Sequence, residues 1–332
     1  MYVPMGGPRF FCTSNRDGRM VRAISLALII CGCIIMVYAT FRYHGLLRYS
    51  RETTYKTLKS SGRTEWFSLG MLYVFIATFF VGFANALERE LQPLYVYVTV
   101  VLFLSSFFIY HSVRTQIGMT ARLHDKTMEI MRTFVNAIEM KDAYTKGHSE
   151  HVYRVVALLY DTLDAELQQR INKRKLLDAA LLHDCGKISV EDAVLNKPGK
   201  LTQEDMASIK THPLTGKKML DDTCYCDISD WVLYHHERMD GKGYFGLRGE
   251  DIPMEARMIA VADTYSALST DRVYRPRMSY EETVVIMREA AGTQLDPMLV
   301  DCFMRIGPKK LERTQPRTVL RPRDTMPVAQ AS

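Results

Sequence analysis

The distribution of apolar residues changes character along this chain. Residues 23–41, AISLALIICGCIIMVYATF, carry no charged side chain. A second such run covers 66–87, and a third covers 91–113, where only Gln92 and His111 interrupt it. A helix rises about 1.5 Å per residue, so about 20 apolar residues cross the hydrocarbon core of a bilayer. The pattern therefore predicts three transmembrane helices, 23–41, 66–87 and 91–113, preceded by an N-terminal tail, 1–22. Pro93 stands where the third helix would begin, a position that needs no backbone N–H. Trp66, Tyr95 and Tyr110 lie near the ends of the runs, where interfacial aromatics are expected. The first run is followed by Phe41-Arg42-Tyr43 rather than by a small-residue cleavage site, which favours a retained span over a signal peptide.

Beyond residue 113 the period becomes helical. In a connector over 114–140, Ile117, Ala121, Met128, Met131, Val135 and Ile138 fall near heptad a and d spacing, with His124 as a polar interruption. Two readings fit: a homodimer pairing through 114–140, or one helix packing a single face on the next domain. From 141 to 306 the chain reads as helix after helix. Val152, Val155, Val156 and Leu159 repeat at i, i+3, i+4, i+7 and predict one buried stripe. Thr202 with Asp205, and Ser279 with Glu282, have the spacing of helix-opening capping boxes. No stretch alternates apolar and polar residues long enough to argue for a sheet, so the expected fold is all-α. The region 307–332 reads as a basic tail; from Arg313 onward it is aperiodic and contains proline, so disorder is expected.

Charge refines the picture only near the membrane. Arg42, Arg48, Arg51, Lys56, Lys59 and Arg63 separate the first two runs, whereas Glu88-Arg89-Glu90 separates the second from the third. The excess of basic residues puts the first of these loops, and with it the C-terminal domain, in the cytoplasm, as part of a multi-pass protein of the inner membrane. Arg9, Arg16, Arg19 and Arg22 in the N-terminal tail run against that orientation. The net charge of +6 over 332 residues is modest, and a nucleic-acid polymer is not an expected partner. The seven cysteines include no CxxC pair; Cys224 and Cys226 form a CxC, and reduced thiols are the simplest reading.

Candidate chemistry concentrates in the C-terminal half: His148, His183-Asp184, His212, His235-His236 and Asp263. A lone histidine is usually a hydrogen-bonded surface or core residue. Asp263 is different, because it interrupts the apolar run Met258-Ile259-Ala260-Val261-Ala262, and a buried carboxylate needs a cation or strong hydrogen bonds. Gly186 offers a sharp turn after the predicted helix Lys175 to Leu182, able to aim His183, Asp184 and Lys187 at one focus. Mixed imidazole and carboxylate donors suit iron, manganese or zinc. Seven donors exceed one ion's needs, which suggests two divalent ions sharing Asp184, a known device for phosphodiester hydrolysis.

At these residues the chain resembles the HD superfamily of phosphohydrolases, and within it the HD-GYP family. The motifs occur in family order between about Met140 and Phe303. They are Tyr144-Thr145-Lys146-Gly147-His148-Ser149, then His183-Asp184-Cys185-Gly186-Lys187-Ile188, then His212-Pro213. The run His235-His236-Glu237-Arg238-Met239-Asp240-Gly241-Lys242-Gly243-Tyr244 follows, then Ala262-Asp263-Thr264-Tyr265-Ser266-Ala267-Leu268 and Asp271-Arg272-Val273-Tyr274-Arg275. The resemblance implies that His148, His183, Asp184 and Asp263 hold one ion, iron or manganese, and that His212, His235 and His236 hold a second with Asp184 bridging. It implies that Lys187 stands beside the scissile phosphate, that Arg272 and Arg275 bind phosphate or guanine, and that Tyr244 lines the substrate pocket. Relatives with a third metal carry a Glu where this chain has Tyr144, so two ions are expected.

Three positions depart from the family pattern. Phe245 replaces the Pro of the GYP triplet, Ser266 replaces a second Asp, and His151 stands where an Arg is usual. None removes a ligand. The leading expectation is a membrane-anchored phosphodiesterase opening cyclic di-GMP; the alternatives are an HD hydrolase of another nucleotide or cyclic dinucleotide, and a catalytically silent nucleotide-binding membrane receptor. The solvated-charge reading is favoured for Arg238 and Lys242.

Overall fold

The computed structural model describes residues 15–53, 62–88, 93–142, 147–270 and 276–316. Among them every regular element is helical, as the periodicity predicts, with one isolated bridge between Ala291 and Leu295. Three long helices come first: α1 (Asn15–Thr53), α2 (Gly62–Glu88) and α3 (Pro93–Glu139). Shorter ones follow: α4 (His148–Tyr160), α5 (Ala165–Arg170), α6 (Lys173–Leu182), α7 (Asp192–Leu195), α8 (Gln203–Ile209), α9 (His212–Asp221) and α10 (Ser229–Leu233). The series closes with α11 (Met254–Ser269), α12 (Tyr280–Ala290), α13 (Pro297–Met304) and α14 (Pro308–Glu312). The chain divides into two compact units, with the boundary on α3 between Lys126 and Thr127.

In the first unit α1 and α2 pack through Ile29, Met36, Leu69, Leu72 and Phe79, all buried. The contact is close because Gly32 has no side chain: a Cβ there would lie 2.5 Å from Phe79 Cε1. Outside this seam the helices expose Ile34, Phe41, Val74, Phe80 and Phe108. Among the described residues, two stretches are long and apolar enough to cross a membrane, Arg19–Gly45 and Tyr97–Met119. The structure thus supports two of the three expected spans; for the second, on α2, the described apolar part is Leu69–Val81.

The second unit has its own core. The predicted stripe Val152, Val155, Val156 and Leu159 on α4 is fully buried, packed among Leu176 and Leu181 of α6, Met258 and Ile259 of α11, and Phe303 of α13. Each such side chain contributes roughly 1.5–3 kcal/mol by leaving water. Both expected capping boxes form: Thr202 with Asp205 opens α8, and Ser279 with Glu282 opens α12. Asp296 caps α13 and holds Arg257 of α11 at 2.6 Å, which pins the helix that carries Asp263.

Two boundaries move. Met131, Val135 and Ile138 of α3 are buried in this core rather than along a seam between chains, so the domain takes in the end of the connector. The heptad-like spacing there reflects intramolecular packing, since one helix on a core needs the same i, i+3, i+4 face as a coiled coil. At the other end, residue 306 is not the edge of order: Leu311 of α14 is fully buried in the core and Thr314 is buried beyond it. Residues 317–332 lie outside the described residues.

Candidate metal centre

Every ligand candidate but Asp263 sits where a helix begins or ends. His148 opens α4, His212 opens α9 with Pro213 just behind it, and His235-His236 follow α10. His183-Asp184 close α6 and lead into a 3₁₀ turn, Cys185–Ser189. Asp263 lies within α11. The turn presses so tightly on α9 that a Cβ at Gly186 would sit 1.9 Å from the His212 carbonyl oxygen.

These elements bring all seven residues together in two adjoining sets. Asp184, His212, His235 and His236 offer ligand atoms within 4.8 Å of one another, and so do His148, His183 and Asp263. Asp184 touches both: Oδ1 is 3.2 Å from His212 Nε2, and Oδ2 is 3.4 Å from His183 Nε2. Nε2 of His148 lies 3.0 Å from Asp263 Oδ1. Three imidazoles are oriented from behind, where Nδ1–H donates to a carbonyl three residues back: His183 to Ala180 at 2.8 Å, His212 to Ile209 at 2.7 Å and His235 to Val232 at 2.6 Å. That arrangement leaves Nε2 as the free donor atom, the form a metal requires.

The site therefore fits divalent ions on its own chemistry. His183 Nε2 is buried and makes no hydrogen bond of good geometry, its nearest acceptor being Asp184 Oδ2 at 3.4 Å, an arrangement that a coordinated ion would relieve. Burial, reinforced by the neighbouring imidazoles, drives His235 far below the usual histidine range, and burial takes His236 down to about 4. Both are thus neutral ligands at pH 7. Burial opposes ionisation of Asp184, yet the charges of Lys187 and His183 hold it well below the ordinary carboxylate range. Asp263 is held low against the same opposition by His148. Cys185, next to the centre, is an inert thiol, pushed by burial up to about 12.

Lys187 Nζ lies 2.7 Å from Asp184 Oδ2 and 3.4 Å from Asp142 Oδ2, so this ammonium stands at the edge of the cluster. Burial opposes its charge, but the two carboxylates more than offset that and keep it protonated. Tyr244 is half-buried, with its ring 4.8 Å from that of His236. Lys210 Nζ lies 5.1 Å above the same ring, a contact that sequence reasoning missed; its only signal is position, two residues before His212. Arg272 and Arg275 lie outside the described residues, as does Tyr144.

Glu139, the last residue of α3, was also not foreseen. Its carboxylate accepts from the N–H groups of Gly147 at 2.6 Å and Ser149 at 2.7 Å, bracketing His148. Helix α4 opens at Gly147, which has φ 78° and no side chain to cap it, so Glu139 supplies the cap from another helix. Nothing in the sequence separates Glu139 from a solvated helix charge.

The departures from the family pattern explain themselves in contact. His151 and Ser266 meet, Nδ1 to Oγ, at 2.8 Å. The N–H of Phe245 donates to Glu237 Oε1 at 2.7 Å, a bond that proline could not make, and Leu247 N–H donates to Oε2 at 2.6 Å. Glu237 thereby holds the loop that carries Tyr244. Arg238 forks onto Asp240 at 3.0 and 2.8 Å, so its charge shapes this loop. Cys224 and Cys226 are free thiols and belong to no metal-ligand cluster among the described residues.

The metal-free protein should respond to pH on both sides. His151 is lowered by burial to about 3 and His236 to about 4, so between those values and 6.5 the unfolded chain binds more protons. Stability present above 6.5 is lost as pH falls through that window, by up to about 1.4 kcal/mol per pH for each histidine. His183 acts oppositely: burial resists its charge, but Asp184 raises it to about 9, so its contribution is full below 6.5 and fades as pH rises toward 9. After chelation the denaturant midpoint should peak near pH 6.5. With metal restored the alkaline decline should vanish, because the ion takes the place of the His183 proton. A chelated midpoint still climbing between pH 6.5 and 9 would contradict the His183–Asp184 pairing.

Comparison with known proteins agrees with this geometry. The HD domain family model matches residues 132–299. A protein of Vibrio cholerae named as a probable cyclic di-GMP phosphodiesterase is 37% identical over 183 residues, covering 50% of this chain and 41% of its own. The cyclic di-GMP phosphodiesterase response regulator RpfG of Xanthomonas campestris is 36% identical over 196 residues, 58% of this chain and 50% of its own. A 3'3'-cGAMP-specific phosphodiesterase of Vibrio cholerae is 35% identical over 184 residues, 54% of this chain and 39% of its own. This chain thus spans half or less of the length of these relatives. With its ordered motifs and the family match, the chain belongs to the HD domain superfamily and, within it, to the HD-GYP family.

Proposed function

We propose that the chain is a metal-dependent phosphodiesterase that hydrolyses a cyclic dinucleotide, with cyclic di-GMP the first candidate. The observation that carries this is the pair of adjoining ligand sets joined by Asp184. His148, His183, Asp184 and Asp263 would hold one ion, and His212, His235 and His236 the other with Asp184 shared. The mixed imidazole and carboxylate donor set suits iron, manganese or zinc, and the family resemblance favours iron or manganese. When bound, such a pair supplies the Lewis acidity and the lowered water pKa that phosphodiester hydrolysis requires.

The chain's own residues supply the rest. Lys187, held charged by Asp184 and Asp142, is the proton donor to the departing 3′ oxygen and stabilises the charge that develops there. Tyr244 offers its ring to a guanine, with Lys210 adding positive charge at the rim, and Arg272 and Arg275 suit phosphate or guanine through their forked donors. The similarity to phosphodiesterases named for cyclic di-GMP and for 3'3'-cGAMP supports the substrate class and keeps the hybrid dinucleotide as the second reading.

The apolar stretches Arg19–Gly45 and Tyr97–Met119 support a membrane anchor. Arg122, Lys126 and Arg132 follow the second stretch, which favours the cytoplasmic face for the HD domain. A homodimer through the connector would use Ile130 and Phe134, which remain exposed on α3, rather than the buried face.

The test is anaerobic purification of the chain, metal quantification, and incubation with cyclic di-GMP, 3'3'-cGAMP and other cyclic dinucleotides. Two ions per chain and turnover that chelation abolishes and iron or manganese restores are expected. Full occupancy with no cyclic dinucleotide cleaved would overturn the phosphodiesterase reading in favour of a silent receptor.

A further inference from the structure

Among the candidate ligands His148 is supported differently. Its Nδ1 faces no carbonyl but the hydroxyl of Ser266, at 2.9 Å. Ser266 Oγ lies also 2.8 Å from His151 Nδ1, and His151 Nε2 lies 3.0 Å from Thr314 Oγ1. Thr314 in turn donates to the Leu311 carbonyl at 2.5 Å. All four side chains are buried.

The direction of every proton in this chain of bonds follows from its far end. A threonine hydroxyl has one proton, and that of Thr314 is given to Leu311, so Thr314 can only accept from His151 Nε2–H. His151 is a buried imidazole with no carboxylate on either nitrogen, so it is neutral and its Nδ1 carries a lone pair. That nitrogen must accept from Ser266 O–H. The serine oxygen is then left to accept from His148 Nδ1–H, which presents the His148 Nε2 lone pair toward Asp263 and the metal centre.

We propose that Thr314, His151 and Ser266 are positioning residues that fix the tautomer and orientation of His148, so that the segment after α14 is a working part of the metal centre. This rests on the dinuclear reading above. It also extends the functional unit past residue 299, where the family match stops. The segment is held there by more than one contact: Arg154 Nη1 donates to the Thr314 carbonyl at 3.4 Å, and Gln315 Nε2 donates to Ser269 Oγ at 3.3 Å.

The experiment is manganese(II) titration of the chelated full chain and of Thr314→Val, Thr314→Ser, Ser266→Ala and the Ser266→Ala/Thr314→Val double variant. Thr314→Val keeps shape and removes only the hydroxyl. It should weaken one of the two manganese sites by about 10-fold, the size expected when a ligand loses its outer partner, and leave the other site unchanged. Thr314→Ser should restore the parent affinity. Because the bonds act in series, the double variant should be no weaker than Ser266→Ala alone. Melting of each metal-free variant reports folding separately. Equal weakening of both sites, or unchanged affinity at both, would overturn the inference. A parent chain that binds no manganese would overturn the metal-centre reading itself, and the inference with it.

Discussion

Asp184→Ala should leave less than one divalent ion per chain and lower phosphodiester turnover by at least about 10³-fold, about 4 kcal/mol in the barrier. The size follows from position. One oxygen of Asp184 faces His212, and the other faces His183 and Lys187. Its removal reduces each ligand set to three residues at once and deletes the partner that holds Lys187 closest. The buried ammonium keeps only Asp142, at 3.4 Å, so some loss of stability accompanies the loss of metal. Asp184→Asn, which keeps volume and a hydrogen-bonding oxygen, should lose metal and turnover nearly as far while melting closer to the parent. Metal analysis, calorimetry and product chromatography on one preparation separate these effects. A variant that kept two ions would refute the bridging role.

Gly186→Ala is the second large effect expected, and it arises without touching a ligand. The added methyl would sit 1.9 Å from the His212 carbonyl oxygen and 2.5 Å from Gly216 N, both backbone atoms that cannot rotate away. Either the turn bearing Asp184 and Lys187 or the helix bearing His212 must shift. Overpacking commonly costs about 1–3 kcal/mol, and backbone obstruction on both sides puts this case at the upper end or beyond. A melting temperature lower by roughly 10 °C is expected, with reduced metal occupancy in the fraction that folds. A melt within about 2 °C of the parent would show that the turn and α9 are not in close contact.

Much of the centre was legible in the sequence because its residues bring unusual types into unusual settings. Asp263 stands out as a carboxylate in an apolar run, and His183-Asp184 precede a glycine turn. The all-α fold was legible for the same reason: the Val152 to Leu159 stripe and the two capping boxes are local patterns, and local patterns are what a sequence displays. What escaped depends on contacts between distant segments. Glu139 has the look of a solvated helix charge until its carboxylate is seen on the amides of α4. Thr314 lies in a stretch whose arginines and prolines point to disorder, yet its hydroxyl is buried against His151. Of the three expected spans, those on α1 and α3 are the ones the structure supports as long apolar helices.

The clamp at the end of α3 has a thermodynamic corollary. Glu139 holds the main chain on both sides of His148, so a displacement of the last turn of α3 and a displacement of that histidine are one event. Linkage runs in both directions: whatever strains the helix end alters affinity for the ion at His148, and ion binding there stiffens the helix end by the same free energy. A metal ion held at His148 and a strain applied to the last turn of α3 would therefore act on one and the same equilibrium.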